Sequence, residues 1–370
     1  MTNIIYLANE TVHDLLINLT KDDTVEFRKT IEQTLEDFSA GGERQYQPEP
    51  GATTRPNGQR ILLRGFTSGS CVGAKLVVQP PARTDGRNDP IRGILVLLDG
   101  YGVPTALIGA EEVTGYRTSM NVMVPFSWRK NVDKVVIFGG GMQALWHTRL
   151  ILALRGSEVR SITYIAPSKH RVDQLIETVS QENATRWKSQ CTFKFACSTD
   201  INAKTEFYML FDDVDCIFCT TPSRAPLFPA AFLTGKRENN RQPFVSAIGS
   251  WQQDMIELDP ELLSYSLGAV GAYNPLTGEA KGVVLVDDRD FALENCGEIV
   301  QSRIRAAEMV ELGEIIAHYS GKCKPLHNRH IDEMNLFMSE GFVVYKSIGV
   351  SLSDLTTANR ILDLSRRKQK

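Results

Sequence analysis

A chain of 370 residues is long enough for two domains of ordinary size, each with its own core. Its hydrophobic share of 42% and charged share of 23% are those of a globular protein in water, and a net charge of −3 without a dense Lys/Arg stripe carries no nucleic-acid signature. No apolar run approaches the roughly 20 residues a membrane span requires, and the N-terminus lacks a basic segment followed by a long apolar one, so a soluble cytoplasmic protein is expected.

The first third reads as α+β. Ile4 to Leu7 suit a short strand, followed by an amphipathic helix with Asn9 or Thr11 as its cap and Val12, Leu15, Leu16 and Leu19 facing inward. A second helix is expected over residues 24–38, ending at Gly41-Gly42. Two apolar runs, 61–63 and 74–78, lie in a turn-rich stretch. Residues 94–98, closed by Asp99-Gly100, are expected to fold back on 105–108 as a hairpin. Residues 79–90 are a polar loop, and residues 111–126 a helix.

The next stretch organises the rest of the chain. Val135, Val136, Ile137 and Phe138 form a β-type run that breaks into Gly139-Gly140-Gly141 and continues with helical periodicity to Leu154. A second apolar run, 162–165, follows Gly156. Strand, glycine turn, helix, strand is the order of a dinucleotide-binding unit: Gly139 makes the tight turn, Gly141 lets backbone approach a pyrophosphate, and Ala144 permits close helix packing. Met142 and Gln143 would offer amides at the positive helix end.

The place where NAD-binding proteins carry an acid for the ribose 2′-hydroxyl reads Ile165-Ala166-Pro167-Ser168-Lys169-His170-Arg171, without a carboxylate. Ser168, Lys169 and Arg171 suit a 2′-phosphate instead, which favours NADP(H) with NAD(H) as the alternative. Reading Lys169 and Arg171 as ordinary first-turn helix residues stays open.

Beyond this unit, strands are expected at 191–196, 214–219, 244–248 and 283–286, with helices at 289–297 and 309–318. Strands alternating with helices indicate a mostly parallel sheet. The end, 343–364, reads as a strand and then a helix that returns to the N-terminal domain. Cys216 and Cys219 are three apart in an apolar strand and read as buried, inert thiols. His327 and His330 read as surface histidines, and no metal site is expected.

Several separated motifs together resemble the ornithine cyclodeaminase/μ-crystallin family, which includes ketimine reductases and an archaeal-type alanine dehydrogenase. They are Gly73-Ala74-Lys75-Leu76-Val77, Asp99-Gly100, Gly115-Tyr116-Arg117-Thr118-Ser119, Gly139 to Ala144, Ala247-Ile248-Gly249-Ser250 with Glu257-Leu258-Asp259, Glu311 to Ile315, and Lys346-Ser347-Ile348-Gly349-Val350. The resemblance implies a Rossmann-type domain (residues 119–320) inserted into an α+β substrate and dimerisation domain (1–118 and 321–370). It further implies a homodimer, a nicotinamide cofactor, and a small amino or imino acid bound between domains.

Residue by residue, the resemblance puts the substrate lysine at Lys75 and the carboxylate-binding arginine at Arg117. A further arginine falls at Arg55, in a loop whose spacing departs from the family, with Arg60 or Arg64 as alternatives. Cofactor contacts would include Thr118, Thr221, Ile248, Gly249 and Ser347, besides Gly139, Gly141, Met142 and Gln143. Asp254 falls where reductase-type relatives carry an acid. Trp251 stands in place of the aspartate that handles the substrate amine in true cyclodeaminases, and Met255 in place of a lysine. An aromatic ring cannot take a proton or form a salt bridge. The expected activity is therefore NAD(P)H-dependent reduction of a C=N bond next to a carboxylate, or the reverse oxidation. A cyclodeaminase-like lyase and a non-catalytic nucleotide-binding relative are the alternatives.

Overall fold

The computed structural model describes residues 4–81, 89–200, 205–235, 241–249, 252–323 and 328–368. Trp251, His327 and most of the polar loop after Pro81 lie outside them. The chain divides into two compact units, Met1–Arg117 with Val350–Lys370, and Thr118–Gly349.

The first unit contains β1 (Ile5–Leu7), α1 (Asn9–Ile17), α2 (Lys21–Ser39), β2 (Gly51–Thr54), β3 (Arg60–Thr67), β4 (Cys71–Gln79), β5 (Arg92–Asp99), β6 (Pro104–Gly109), the start of α3 (Ala110–Ser127), and the C-terminal helix Ser351–Lys368. The strands form one sheet in the order β1-β6-β5-β4-β3-β2, antiparallel except for β1 on β6. The expected hairpin is β5–β6.

Alternation along β4 fixes the two faces. Gly73 and Lys75 point inward with their register partners Leu97 and Leu95, which are fully buried, while Val72 and Leu76 point outward. The C-terminal helix packs on the inner face, against β3, β4 and β5 and beside α1 and α2. Phe27, Ile31, Leu35, Ala358 and Ile361 are fully buried there. Each such aliphatic or aromatic side chain contributes about 1.5–3 kcal/mol by leaving water.

Two helix starts differ from expectation, the first for a tertiary reason and the second for a local one. α1 begins after Ala8 with no side-chain cap. Asn9 is engaged elsewhere, donating to the Glu111 carboxylate and accepting from Glu112 N. α2 starts at Lys21 because Thr20 and Asp23 form a reciprocal capping box.

The second unit holds β7 (Lys134–Phe138), α4 (Met142–Arg155), β8 (Ser161–Ala166), α5 (Lys169–Thr185), β9 (Thr192–Cys197), α6 (Thr205–Asp212), β10 (Cys216–Cys219), α7 (Ala231–Thr234) and β11 (Phe244–Ala247). It continues with α8 (Pro260–Ser266), β12 (Val284–Val286), α9 (Arg289–Asn295), α10 (Gly297–Ser302), β13 (Met309–Glu311), α11 (Leu312–Tyr319), α12 (Asn328–Glu340) and β14 (Val343–Lys346). Its eight strands are all parallel, ordered β13-β12-β14-β11-β10-β7-β8-β9. From β7 the chain winds outward through β8 and β9, then returns to β10 on the other side of β7. That reversal is the switch point at which doubly wound sheets bind ligands, beyond the strands' carboxyl ends.

Two expectations are corrected here. Residues 309–318 are not one helix: Met309–Glu311 pairs with β12 as an edge strand, too short for its period to show in sequence. The return to the first unit comes at Val350 rather than at residue 321, because β14 is inserted between β11 and β12 and so belongs to the parallel sheet.

Candidate functional site

In the first unit three elements bring charged side chains into the apolar interior. β4 carries Lys75, α3 carries Arg117, and the C-terminal helix carries Asp354; they are 5%, 6% and 0% exposed. Lys75 Nζ donates to Asp354 Oδ2 at 2.7 Å, and Arg117 Nε donates to Asp354 Oδ1 at 3.0 Å. Burying charge is tolerated only when it is paired. Here one carboxylate faces two cations, and Arg117 Nη1 is buried without a hydrogen-bond partner. The cluster has an excess of positive charge and a spare donor.

The electrostatics follow from this packing. Burial brings Lys75 down to about 8, with the Asp354 carboxylate opposing the fall and Arg117 and Arg64 adding to it. Burial alone would raise Asp354, but the adjoining Arg117 and Lys75 charges more than reverse it, so its carboxyl lies below the ordinary value.

Arg64 is the register partner of Lys75 on β3, and its charge acts on both Lys75 and Asp354. Arg55 lies in the exposed turn after β2. Of the three arginines considered from sequence, Arg64 is the one beside the buried cluster.

In the second unit the predicted cofactor residues gather at the carboxyl ends of the strands. Gly139 follows β7 with φ +118°, and a Cβ there would lie 2.7 Å from Thr220 Oγ1. Gly141 precedes α4 with ordinary extended backbone and open space where a side chain would be. No side chain caps α4. An uncapped, 14-residue helix end with room in front of it fits a pyrophosphate.

At the end of β8, Ser168, Lys169 and Arg171 are exposed. Lys169 is paired with both oxygens of Asp173 at 2.8 Å, one turn into α5. The Arg171 stem lies 3.7 Å from where a Gly140 Cβ would be. Met142 is 43% exposed, and Thr118 is buried on α3.

The loops after β10, β11 and β14 are held by two buried carboxylates. Glu257 accepts from Thr221 N at 2.6 Å and from Gly249 N. Asp287 accepts from Ile348 N and Gly349 N, both at 2.8 Å, and from Ser347 Oγ at 2.7 Å. Ser347, expected as a cofactor contact, thus spends its hydroxyl on Asp287. Ile248 follows β11 and is half-buried.

Glu257 in turn lies 3.8 Å from Lys346, whose Nζ is 3.4 Å from Glu298, and all three are fully buried. A second group missed in the sequence is His147, fully buried with Nδ1 2.8 Å from Ser119 Oγ and 2.7 Å from the Gln143 carbonyl. Burial brings it down to about 4, so it is neutral at physiological pH and ties α3 to the first turn of α4.

Other candidates fall outside these clusters. Asp254 is exposed and paired with the equally exposed Arg224 at 3.2 Å, a contact worth little in water. Met255 is buried. His330 is half-buried rather than a surface residue, with Nε2 2.7 Å from the Pro275 carbonyl and its ring against Tyr273. Cys216 and Cys219 are fully buried free thiols, and burial pushes Cys216 up to about 12. Among the described residues no group of three His, Cys, Asp or Glu is placed to hold a metal, and no helix is long and apolar enough to cross a membrane.

No family model matches the chain. In sequence it is 25% identical over 268 residues to an uncharacterized cyclodeaminase of Dictyostelium discoideum, covering 70% of this chain and 66% of that protein, slightly under two thirds of its length. It is 23% identical over 266 residues to the Δ1-pyrroline-2-carboxylate reductase of Colwellia psychrerythraea, covering 71% and 69%. In structure it is similar to the Δ1-pyrroline-2-carboxylate reductase of Thermococcus litoralis, solved with NADH and L-proline, at a TM-score of 0.71 and 17% identity over 99% of this chain and 98% of that one. These comparisons bear out the resemblance read from the sequence: the chain has the fold of the ornithine cyclodeaminase/μ-crystallin family and is similar in sequence to proteins named cyclodeaminase and Δ1-pyrroline-2-carboxylate reductase.

Proposed function

We propose that the chain is an NAD(P)H-dependent oxidoreductase that reduces a C=N bond next to a carboxylate, in a ketimine or cyclic imino acid, or runs the reverse oxidation. The observation that carries this reading is the buried Lys75–Asp354–Arg117 cluster, with two cations on one carboxylate and Arg117 Nη1 unpartnered. A site so built favours a small anionic ligand. The two Δ1-pyrroline-2-carboxylate reductases compared above act on a cyclic imine bearing a carboxylate, as their names state.

When bound, a reduced nicotinamide supplies the hydride. Arg117 holds the substrate carboxylate, because a guanidinium stays charged and offers several donors in a fixed fork. Lys75 contributes the proton: with its value near 8 it is largely protonated at neutral pH yet releases a proton more readily than an ordinary lysine. Lys75 Nζ would pass its proton to the substrate nitrogen as the imine carbon is reduced, and would be reprotonated from water. The uncapped end of α4, with Gly141, Met142 and Gln143, and the loops carrying Thr221, Ile248, Gly249 and Ser347 are assigned to the dinucleotide. Arg171, with Ser168 and Lys169, favours NADP(H) over NAD(H).

A cyclodeaminase-like lyase is the second reading, supported by the name of the Dictyostelium relative. Met255 counts against it, since a buried thioether cannot serve where that chemistry uses a lysine. A substrate screen with the purified protein, following nicotinamide absorbance with cyclic imino acids, 2-oxo acids plus amines, and ornithine, separates the two. Oxidation of NADPH by an imino acid is expected. Ammonia release from ornithine at comparable turnover, without imine reduction, overturns the reductase reading.

A homodimer through the outer face of the first sheet completes the proposal. Tyr6, Leu63, Val72 and Leu76 lie on that face, 66%, 51%, 40% and 39% exposed, beside half-buried Val96 and Leu107. Apolar side chains gathered and exposed on one face mark an interaction site. Light scattering that gives the mass of one chain at micromolar concentration contradicts it.

A further inference from the structure

We propose that Asp354 is the positioning residue of this site: its single buried carboxylate takes Lys75 on Oδ2 and Arg117 Nε on Oδ1, fixing both cations and leaving Arg117 Nη1 for the substrate carboxylate. The inference rests on the reductase reading for the substrate, but the cluster itself does not depend on it. Asp354 is fully buried on a helix that is otherwise committed to packing, with Leu352, Leu355 and Ala358 around it. Asp354 stands in the first turn, where the helix dipole favours an acid, but a solvated carboxylate would serve that end as well as this fully buried one. Its two oxygens instead tie together three elements, β4, α3 and the C-terminal helix.

Arg117 meets Asp354 through Nε, so its guanidinium is anchored before substrate arrives, while Nη1 has no hydrogen-bond partner. Pre-organisation of this kind lowers the ordering cost of binding. The same carboxylate sets the charge on Lys75. The charged groups facing Lys75 are Asp354 from the C-terminal helix, Arg117 from α3 and Arg64 from β3, while its partner on β5 is the apolar Leu95. Asp354 is the single group among them that favours the protonated amine, so the acid works only while it is in place.

Asp354→Asn and Asp354→Glu test this, read by steady-state kinetics and by NMR titration of ¹³C-labelled lysine side chains, with Lys75→Arg assigning the Lys75 signal. In Asp354→Asn the Lys75 inflection is expected to fall by at least about one pH unit, because the opposite charge is gone and two cations remain. The high-pH limb of kcat should move with it, and the substrate KM should rise about tenfold or more. The nucleotide KM should stay at the wild-type value. Asp354→Glu keeps the charge but displaces the oxygens, so the inflection should stay near wild type while the substrate KM rises. If the Asn variant does not fold, the Glu variant decides, a wild-type substrate KM there refuting the positioning role. A Lys75 inflection and kcat limb in Asp354→Asn that match wild type would refute it equally, whatever happens to thermal stability. If the inflection moves but no imine is ever reduced, Asp354 keeps its role in the cluster and the reductase reading alone fails.

Discussion

Replacing Arg117 by alanine separates binding from stability. The variant loses the 3.0 Å hydrogen bond to Asp354 and the spare Nη1 donor assigned to the substrate carboxylate. A hydrogen bond to a charged group contributes about 1.5–3 kcal/mol, which is roughly a 10- to 100-fold rise in substrate KM. Breaking a buried ion pair usually costs about 3–5 kcal/mol because a bare charge is left behind. Here the remainder is Lys75 on Asp354 at 2.7 Å, a neutral pair with the excess positive charge removed. The stability loss should therefore be only about 1–2 kcal/mol, from packing and the lost hydrogen bond. Urea unfolding beside steady-state kinetics measures both. A KM within twofold of wild type, or a stability loss above about 4 kcal/mol, would refute the reasoning.

Lys75→Ala should lower kcat by roughly 10²- to 10⁴-fold, the usual range for a lost general acid. In the wild type, imine reduction should be fully active below about pH 8 and decline above it, as Lys75 loses its proton; a flat profile from pH 6 to 10 contradicts the assignment. The linkage to stability has the opposite sign. Because burial holds the folded value below the unfolded one, the cost of the buried charge is present below about 8 and is relieved as pH rises toward the ordinary lysine value of 10.5. Gly141→Ala should leave stability within about 1 kcal/mol, since its backbone is extended and the space is open, yet weaken nucleotide binding at least about tenfold by filling the approach to the helix end. Unchanged nucleotide affinity by fluorescence titration removes α4 from the site. Arg171→Ala should raise the KM for NADPH by roughly tenfold, from loss of a charge-assisted contact, with little effect on NADH; equal effects on both would contradict 2′-phosphate recognition.

Much of the fold was legible because the signals are local. The glycine turn, its flanking apolar strands and the alternation on β4 all lie within short windows, and Lys75, which the family resemblance singles out, lies inside the apolar run 74–78. What escaped was set by distance or brevity. Asp354 meets partners 279 and 237 positions away, and on its own helix it looks like any acid. Arg64 beside Lys75 follows from strand register, which a spacing argument centred on Arg55 could not supply. The edge strand Met309–Glu311 is three residues long, too few to reveal a period, and it runs directly into α11. Glu257 was visible as part of a family motif, but its hold on Thr221 and Gly249 depends on two loops after separate strands. The cap expected at Asn9 failed because a tertiary partner, Glu111, competes for the same side chain.

The proposed function turns on hydride transfer to a carbon that bears both the nitrogen and the carboxylate. The test uses reduced nicotinamide deuterated at both C4 positions with the best imino-acid substrate, followed by mass spectrometry and NMR of the product. One deuterium is expected on the α-carbon of a single amino-acid enantiomer, with none on nitrogen-bound or side-chain positions. Product carrying no deuterium, or deuterium away from the α-carbon, would contradict it.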